Sequence, residues 1–109
     1  MKKQYVKSEI YFLNAEKGTT YYANPNFILR EIAGEYILVP TGKELEHFNG
    51  LASLNETGKF LLEFLKEKRT LEEILKCFQT EFELTSDECW RDVSDFLNLA
   101  VAKHVILKL

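Results

Sequence analysis

The chain of 109 residues is short of nearly everything that marks a catalytic or metal-dependent site. Its two histidines, His47 and His104, stand far apart, so no paired-histidine zinc motif can be assembled. Its two cysteines, Cys77 and Cys89, fall inside helical patterns and lack the close spacing of a metal knuckle. With no signal-peptide pattern ahead of them, a reduced, cytoplasmic protein is expected. The five glycines are scattered as single turn residues, which excludes a glycine-rich phosphate loop. Neither a Ser-His-Asp order with an elbow motif nor an acidic calcium loop is present. No catalytic residue, metal or cofactor is therefore expected, and nothing in the chain proposes a reaction.

Long apolar runs are also missing. The longest, residues 36–39 and 105–107, fall far short of the roughly 20 residues a membrane-spanning helix needs, so no membrane partner is expected. Excess positive charge is missing too. The formal net charge is −3, and the only dense basic group, Lys66, Lys68 and Arg69, is interrupted by Glu67. That group reads as a solvated connection between helices, whereas a nucleic-acid surface needs clustered Lys and Arg to displace counterions from phosphates.

What is present is one globular domain, since 109 residues suffice for a single modest core and no more. Residues 1–23 form an arm of mixed Lys, Glu, Gly and Thr around the apolar run Ile10, Tyr11, Phe12, Leu13 and the pair Tyr21, Tyr22. The arm is either a strand added to the domain, the preferred reading, or a segment that covers a binding surface. The domain proper is placed at residues 24–109. After the turn signal Asn24, Pro25, Asn26 come two β-prone runs, 27–32 and 35–40, separated only by Ala33 and Gly34. They predict an antiparallel hairpin, with Gly34 supplying the positive φ of a tight turn.

Pro40, Thr41 and Gly42 end the second strand, and residues 43–48 form a polar connection in which His47 reads as an exposed loop residue. Residues 51–54 alternate Leu51 and Ser53 with Ala52 and Leu54, as a short third strand would. The small Ala52 lets another backbone approach. Four residues are equally compatible with a mere entry to the next helix.

Three helices follow. Either Ser53 or Asn55 caps the first, whose stripe is Phe60, Leu61, Phe64 and Leu65. Thr70 with Glu73 starts the second, carrying Leu71, Ile74, Leu75, Phe78 and Phe82. Thr85 with Glu88 starts the third, carrying Trp90, Val93, Leu97, Ala100 and Val101. A second stripe on the third helix, Cys89, Asp92, Phe96, Leu99 and Lys103, is either a widening of the core face or one wall of a groove. Arg91, Ser94, Asp95, Asn98 and Ala102 make a polar face. His104 reads as a structural histidine, and residues 104–109 as a β-like run able to pair with the sheet.

Three short strands followed by three helices match an α+β winged helix-turn-helix. The run Asn24-Pro25-Asn26-Phe27-Ile28-Leu29-Arg30-Glu31-Ile32-Ala33-Gly34-Glu35-Tyr36-Ile37-Leu38-Val39-Pro40 resembles the opening hairpin of the PqqD family, named for pyrroloquinoline quinone biosynthesis protein D. Leu54-Asn55-Glu56-Thr57-Gly58 resembles that family's strand-to-helix junction, and Thr70-Leu71-Glu72-Glu73-Ile74 its second helix start. The resemblance covers residues 24 to about 104. It implies a non-enzymatic peptide-recognition module that binds the leader segment of a ribosomally made precursor peptide and presents it to a maturation enzyme, such as a radical SAM protein or a leader peptidase. It also implies that the leader adds as a strand to the third strand and lies against the third helix. On this chain the contacts become Leu51, Ala52, Ser53 and Leu54 on the strand, with Asp92, Phe96, Leu99 and Lys103 on the helix. The alternatives are a winged-helix DNA-binding regulator, against which the acidic balance speaks, and a structural subunit whose apolar edge docks a larger protein.

Overall fold

The structure is a computed structural model and describes residues 19–47 and 52–109. The run Ile10 to Leu13, and with it the reading of residues 1–18 as an arm, lies outside the described residues, as do Phe48 and Leu51.

The predicted hairpin is strands β2 (Phe27–Ile32) and β3 (Glu35–Pro40), paired in register from Phe27 opposite Pro40 to Ile32 opposite Glu35. Its two-residue turn needs positive φ at both centres, and both have it, Ala33 at 54° and Gly34 at 84°. The sequence pointed to Gly34 alone; the hydrogen-bonded ladder on both sides holds Ala33 in the same conformation. Strand β4 (Ala52–Leu54) pairs antiparallel with β3, placing Leu54 opposite Tyr36 and Ala52 opposite Leu38. The order is β2-β3-β4. Phe27, Leu29, Leu38, Ala52 and Leu54 share the face that packs on the core, while Ile28, Arg30, Ile32 and Ser53 point the other way and are exposed.

A second sheet was not foreseen as such. Strand β1 (Thr20–Ala23) lies between β5 (Arg69–Thr70) and β6 (Ile106–Lys108), antiparallel to both. The terminal run was expected to join the hairpin's sheet; it pairs with the Tyr21 and Tyr22 segment instead. Tyr21 is 1% exposed and belongs to the core, and burial raises the pKa of its phenol.

The helices are α1 (Glu56–Phe64), α2 (Leu71–Phe82) and α3 (Ser86–Ala102). Asn55, not Ser53, caps α1, its Oδ1 accepting from the Gly58 amide at 2.9 Å. Of the three capping boxes the sequence offers, Ser53 with Glu56 does not form, because Asn55 is the cap, and the other two are closed. The Glu73 amide donates to Thr70 Oγ1 at 3.1 Å and the Thr70 amide to Glu73 Oε1 at 2.8 Å. Thr85 and Glu88 repeat this at 3.1 and 2.9 Å. The cap's hydrogen bonds, from the Thr85 backbone first and its side chain next, hold the Glu88 carboxyl below its usual pKa. The apolar stripes meet in one core, with Leu61, Leu65, Ile74, Phe78, Trp90, Val93 and Leu97 buried. Phe60, Phe64, Phe78 and Phe82 extend it as a ring cluster, Phe60 meeting Phe82 edge-on at 5.4 Å between centroids.

α3 ends in a left-handed residue that is not glycine: His104 has φ of 65°, and the amides of Val105 and His104 return to the carbonyls of Ala100 and Val101. The His104 carbonyl accepts from Asn24 Nδ2 at 2.7 Å, and the same amide group donates to Glu44 Oε2 at 3.2 Å. His104, which showed no partner in the sequence, thus ties α3 to the β1–β2 turn and to the 3-10 turn Gly42–Leu45. Asn24 and Glu44 are both buried, and no buried side-chain polar atom among the described residues lacks a partner.

Candidate functional site

A site for an extended ligand needs an unpaired strand edge and a wall beside it. β4 and α3 supply both. Among the described residues no strand pairs with the outer side of β4, which is three residues long and carries no charge. Next to it opens a groove of about 660 Å³, lined from the hairpin end by Gly34, Glu35 and Tyr36, from β4 and the start of α1 by Ser53, Leu54, Asn55 and Glu56, and from α3 by Phe96 and Leu99.

The groove owes its shape to Gly58. This buried glycine stands in the first turns of α1, where a Cβ would come within 3.1 Å of Phe96 Cε1 and 3.3 Å of Leu54 Cδ2. The absence of a side chain lets the Phe96 ring and Leu54 approach the helix start and each other's neighbourhood. Leu99, one residue short of a full turn beyond Phe96, is left 58% exposed. Tyr36, opposite Leu54 in the ladder, forms the other flank, and Lys59 Nζ sits 4.6 Å from the centre of its ring.

Of the residues expected to contact a peptide, Ser53 and Leu54 line the groove together with Phe96 and Leu99, and Ala52 continues the same strand. Asp92 and Lys103 do not line it. They lie on exposed helix surface one turn before Phe96 and one turn after Leu99. Leu51 lies outside the described residues. Cys89, read on the same stripe, is in the core: it is 2% exposed, its thiol donates to the Leu75 carbonyl at 3.3 Å, and burial, with a smaller contribution from Asp92, pushes its pKa up to about 11. Ser94, read on the polar face, is buried as well, its hydroxyl donating to the Arg91 carbonyl. Tyr36, Glu35 and Glu56 were not singled out in the sequence. Tyr36 could have been found by extending the hairpin register to a third strand, because it is the residue that faces Leu54.

A second, more enclosed groove of about 460 Å³ lies on the β2 side, where Phe27, Leu29 and Leu38 approach Leu62, Glu63 and Lys66. The outer side of β2 is likewise unpaired among the described residues, but Arg30 and Glu31 stand in the middle of that strand. Among the described residues no three His, Cys, Asp or Glu side chains gather as a metal site would require, and no helix is long and apolar enough to cross a membrane.

The family model for coenzyme PQQ synthesis protein D (PqqD) matches residues 28–106, from the hairpin to β6. The chain belongs to the PqqD family. Neither the curated proteins nor the solved structures offer a match to it. The match includes β4, α3 and the groove between them, and it excludes β1. In general terms the PqqD family is one of non-catalytic chaperones for precursor peptides.

Proposed function

We propose that this PqqD-family protein binds the leader segment of a ribosomally synthesised precursor peptide by strand addition to the outer edge of β4, holds it against α3, and presents it to a modifying enzyme in the cytoplasm. The observation that carries this reading is the coincidence of an uncharged edge strand, unpaired on its outer side among the described residues, with an apolar groove whose far wall, Phe96 and Leu99, belongs to α3. Backbone hydrogen bonds along the edge give affinity that depends little on sequence, and the groove chooses side chains. β2 is the weaker candidate, because charged residues in mid-strand are a usual guard against strand addition. Partners of the complex are then the precursor peptide and a maturation enzyme of the radical SAM or leader-peptidase kind, with no nucleic acid and no membrane. The protein itself performs no chemistry in this reading.

In an antiparallel ladder alternate residues of an edge strand aim both backbone groups outward, so either Ser53 or the pair Ala52 and Leu54 meets the incoming chain. Proline removes the amide donor. The test is to titrate a fluorescent synthetic leader, taken from a short reading frame beside the gene, against wild type, Ala52→Pro and Ser53→Pro. Wild-type affinity on the order of micromolar to tens of nanomolar is expected, since the leader must be ordered on binding. One of the two variants should stay folded by circular dichroism and bind at least about tenfold more weakly, the loss of one or two backbone hydrogen bonds. Unchanged binding in both folded variants refutes strand addition at β4.

A further inference from the structure

We infer that the groove selects a cationic peptide segment, one in which an apolar side chain is accompanied within about four residues by lysine or arginine. This names the substrate class of the β4–α3 site and rests on the peptide-binding reading of it. The floor of the groove is apolar, made by Tyr36, Leu54, Phe96 and Leu99, and suits an aliphatic or aromatic anchor. Both charged residues that line the groove are acidic, while Lys59 stands over the Tyr36 ring on one flank. Glu35 and Glu56 line the groove, and Asp92 and Asp95 each stand four residues, one helical turn, before Phe96 and Leu99.

None of these four carboxylates has an ion-pair partner within 4 Å among the described residues, where the two ion pairs are Arg69 with Glu67 and His104 with Glu44. The cations nearby make no ion pair with them within 4 Å among the described residues. Lys59 is held over the Tyr36 ring at 4.6 Å, and the charge of Arg91 acts on Glu88 at the start of α3. Lys103 lies a turn beyond Leu99 at the far end. Two acidic residues on the lining of an apolar groove, Glu35 and Glu56, attract a basic side chain and repel an acidic one. An extended chain advances roughly 3.3 Å per residue, so a lysine within about four residues of the anchor lies within roughly 13 Å of it along the strand. Exposed pairs of this kind are individually weak, and their larger effect is on encounter rate and on the choice between partners.

The experiment uses a phage-displayed library of random peptides, about 12 residues long and thus enough for an added strand, panned on the immobilised full-length protein. Enriched peptides, resynthesised with a fluorescent label, are titrated by anisotropy at about 50 mM and about 300 mM salt, either side of physiological screening. Enriched sequences should combine an apolar anchor with a nearby Lys or Arg. Changing that residue to Glu should weaken binding about tenfold at low salt and less at high salt. In the double variant Glu35→Gln, Glu56→Gln the preference for Lys over Glu should shrink to about twofold or less. Binding that requires Phe96, shown by its loss in Phe96→Ala, yet treats the Lys and Glu peptides alike overturns this inference and leaves the peptide-binding reading standing. Absence of any enriched peptide, or enrichment indifferent to Phe96→Ala, overturns both.

Discussion

Among the described residues there are two sheets of three strands each, and they differ in what lies beside their edges. In the sheet β5-β1-β6 the edge strands are two and three residues long, one running directly into α2 and the other following α3, and the central strand buries Tyr21 in the core. The edge strands of both sheets are unpaired on their outer sides among the described residues; in the sheet β2-β3-β4 Ile32 is 52% exposed and a groove opens beside β4. The first sheet clasps residues near both limits of the described chain, with Thr20 and Leu109 exchanging backbone hydrogen bonds. In the function proposed above, recognition falls to the second sheet, while the first joins the two ends of the described chain.

That division is open to direct attack, and the largest effect should come from the clasp. Tyr21→Ala is expected to lower the unfolding free energy by about 3 to 5 kcal/mol, the usual range for deleting a fully buried aromatic ring. Ile32→Thr in the open sheet should change it by less than about 0.5 kcal/mol. Urea denaturation of the two variants settles the matter; similar losses in both would dissolve the contrast.

A middle-sized effect sharpens it by loosening a groove wall without touching the groove. Thr85→Ala breaks the capping box of α3 and should cost about 1 kcal/mol of stability. The loss should depend on pH, since the Thr85 side chain, after the backbone amide that alanine retains, helps keep the Glu88 carboxyl below its ordinary 4.5 in the folded protein. A carboxyl lowered on folding stabilises fully above its unfolded value and ceases to do so as the pH falls through its folded value. The gap between wild type and Thr85→Ala in urea midpoint should therefore narrow as the pH drops from about 7 to about 3. A gap of constant width would show that the Thr85 side chain does not favour the ionised carboxylate, since the backbone hydrogen bond from residue 85 is present in both proteins.

The smallest change in stability should accompany Gly58→Ala, where greater helix propensity, worth about 0.5 to 1 kcal/mol, opposes contacts of 3.1 Å to Phe96 and 3.3 Å to Leu54. Phe96 borders open space and can give way, so the net should stay within about 1 kcal/mol while peptide affinity falls several-fold. Affinity equal to wild type would mean that the Phe96 position is not what shapes the groove.

Much of this was legible in the chain itself, and the boundary of what was legible is physical. The hairpin and the two capping boxes were read correctly because each is decided by residues within a few positions of one another. The buried stripes of α1 and α2 followed from spacing for the same reason. α3 was harder: its two adjacent stripes are both regularly spaced, and only the packing of α1 and α2 put Cys89 inside and left Leu99 outside. Asp92 and Lys103 have the right spacing for a groove wall and stand at its ends instead. The acidic border escaped notice because Glu35 and Glu56 come from separate elements that only the fold brings to one groove.

By itself, then, the sequence determined where the helices begin, where the hairpin turns and which family the chain resembles, because caps, turns and periodicity act over short stretches of chain. Only the tertiary structure decided that Tyr21 pairs with Lys108 and Arg69, that Tyr36 and Phe96 flank one groove, and that the edge of β4 stays unpaired among the described residues. Those outcomes depend on which surfaces remain uncovered once all elements have packed, and no local pattern carries that information.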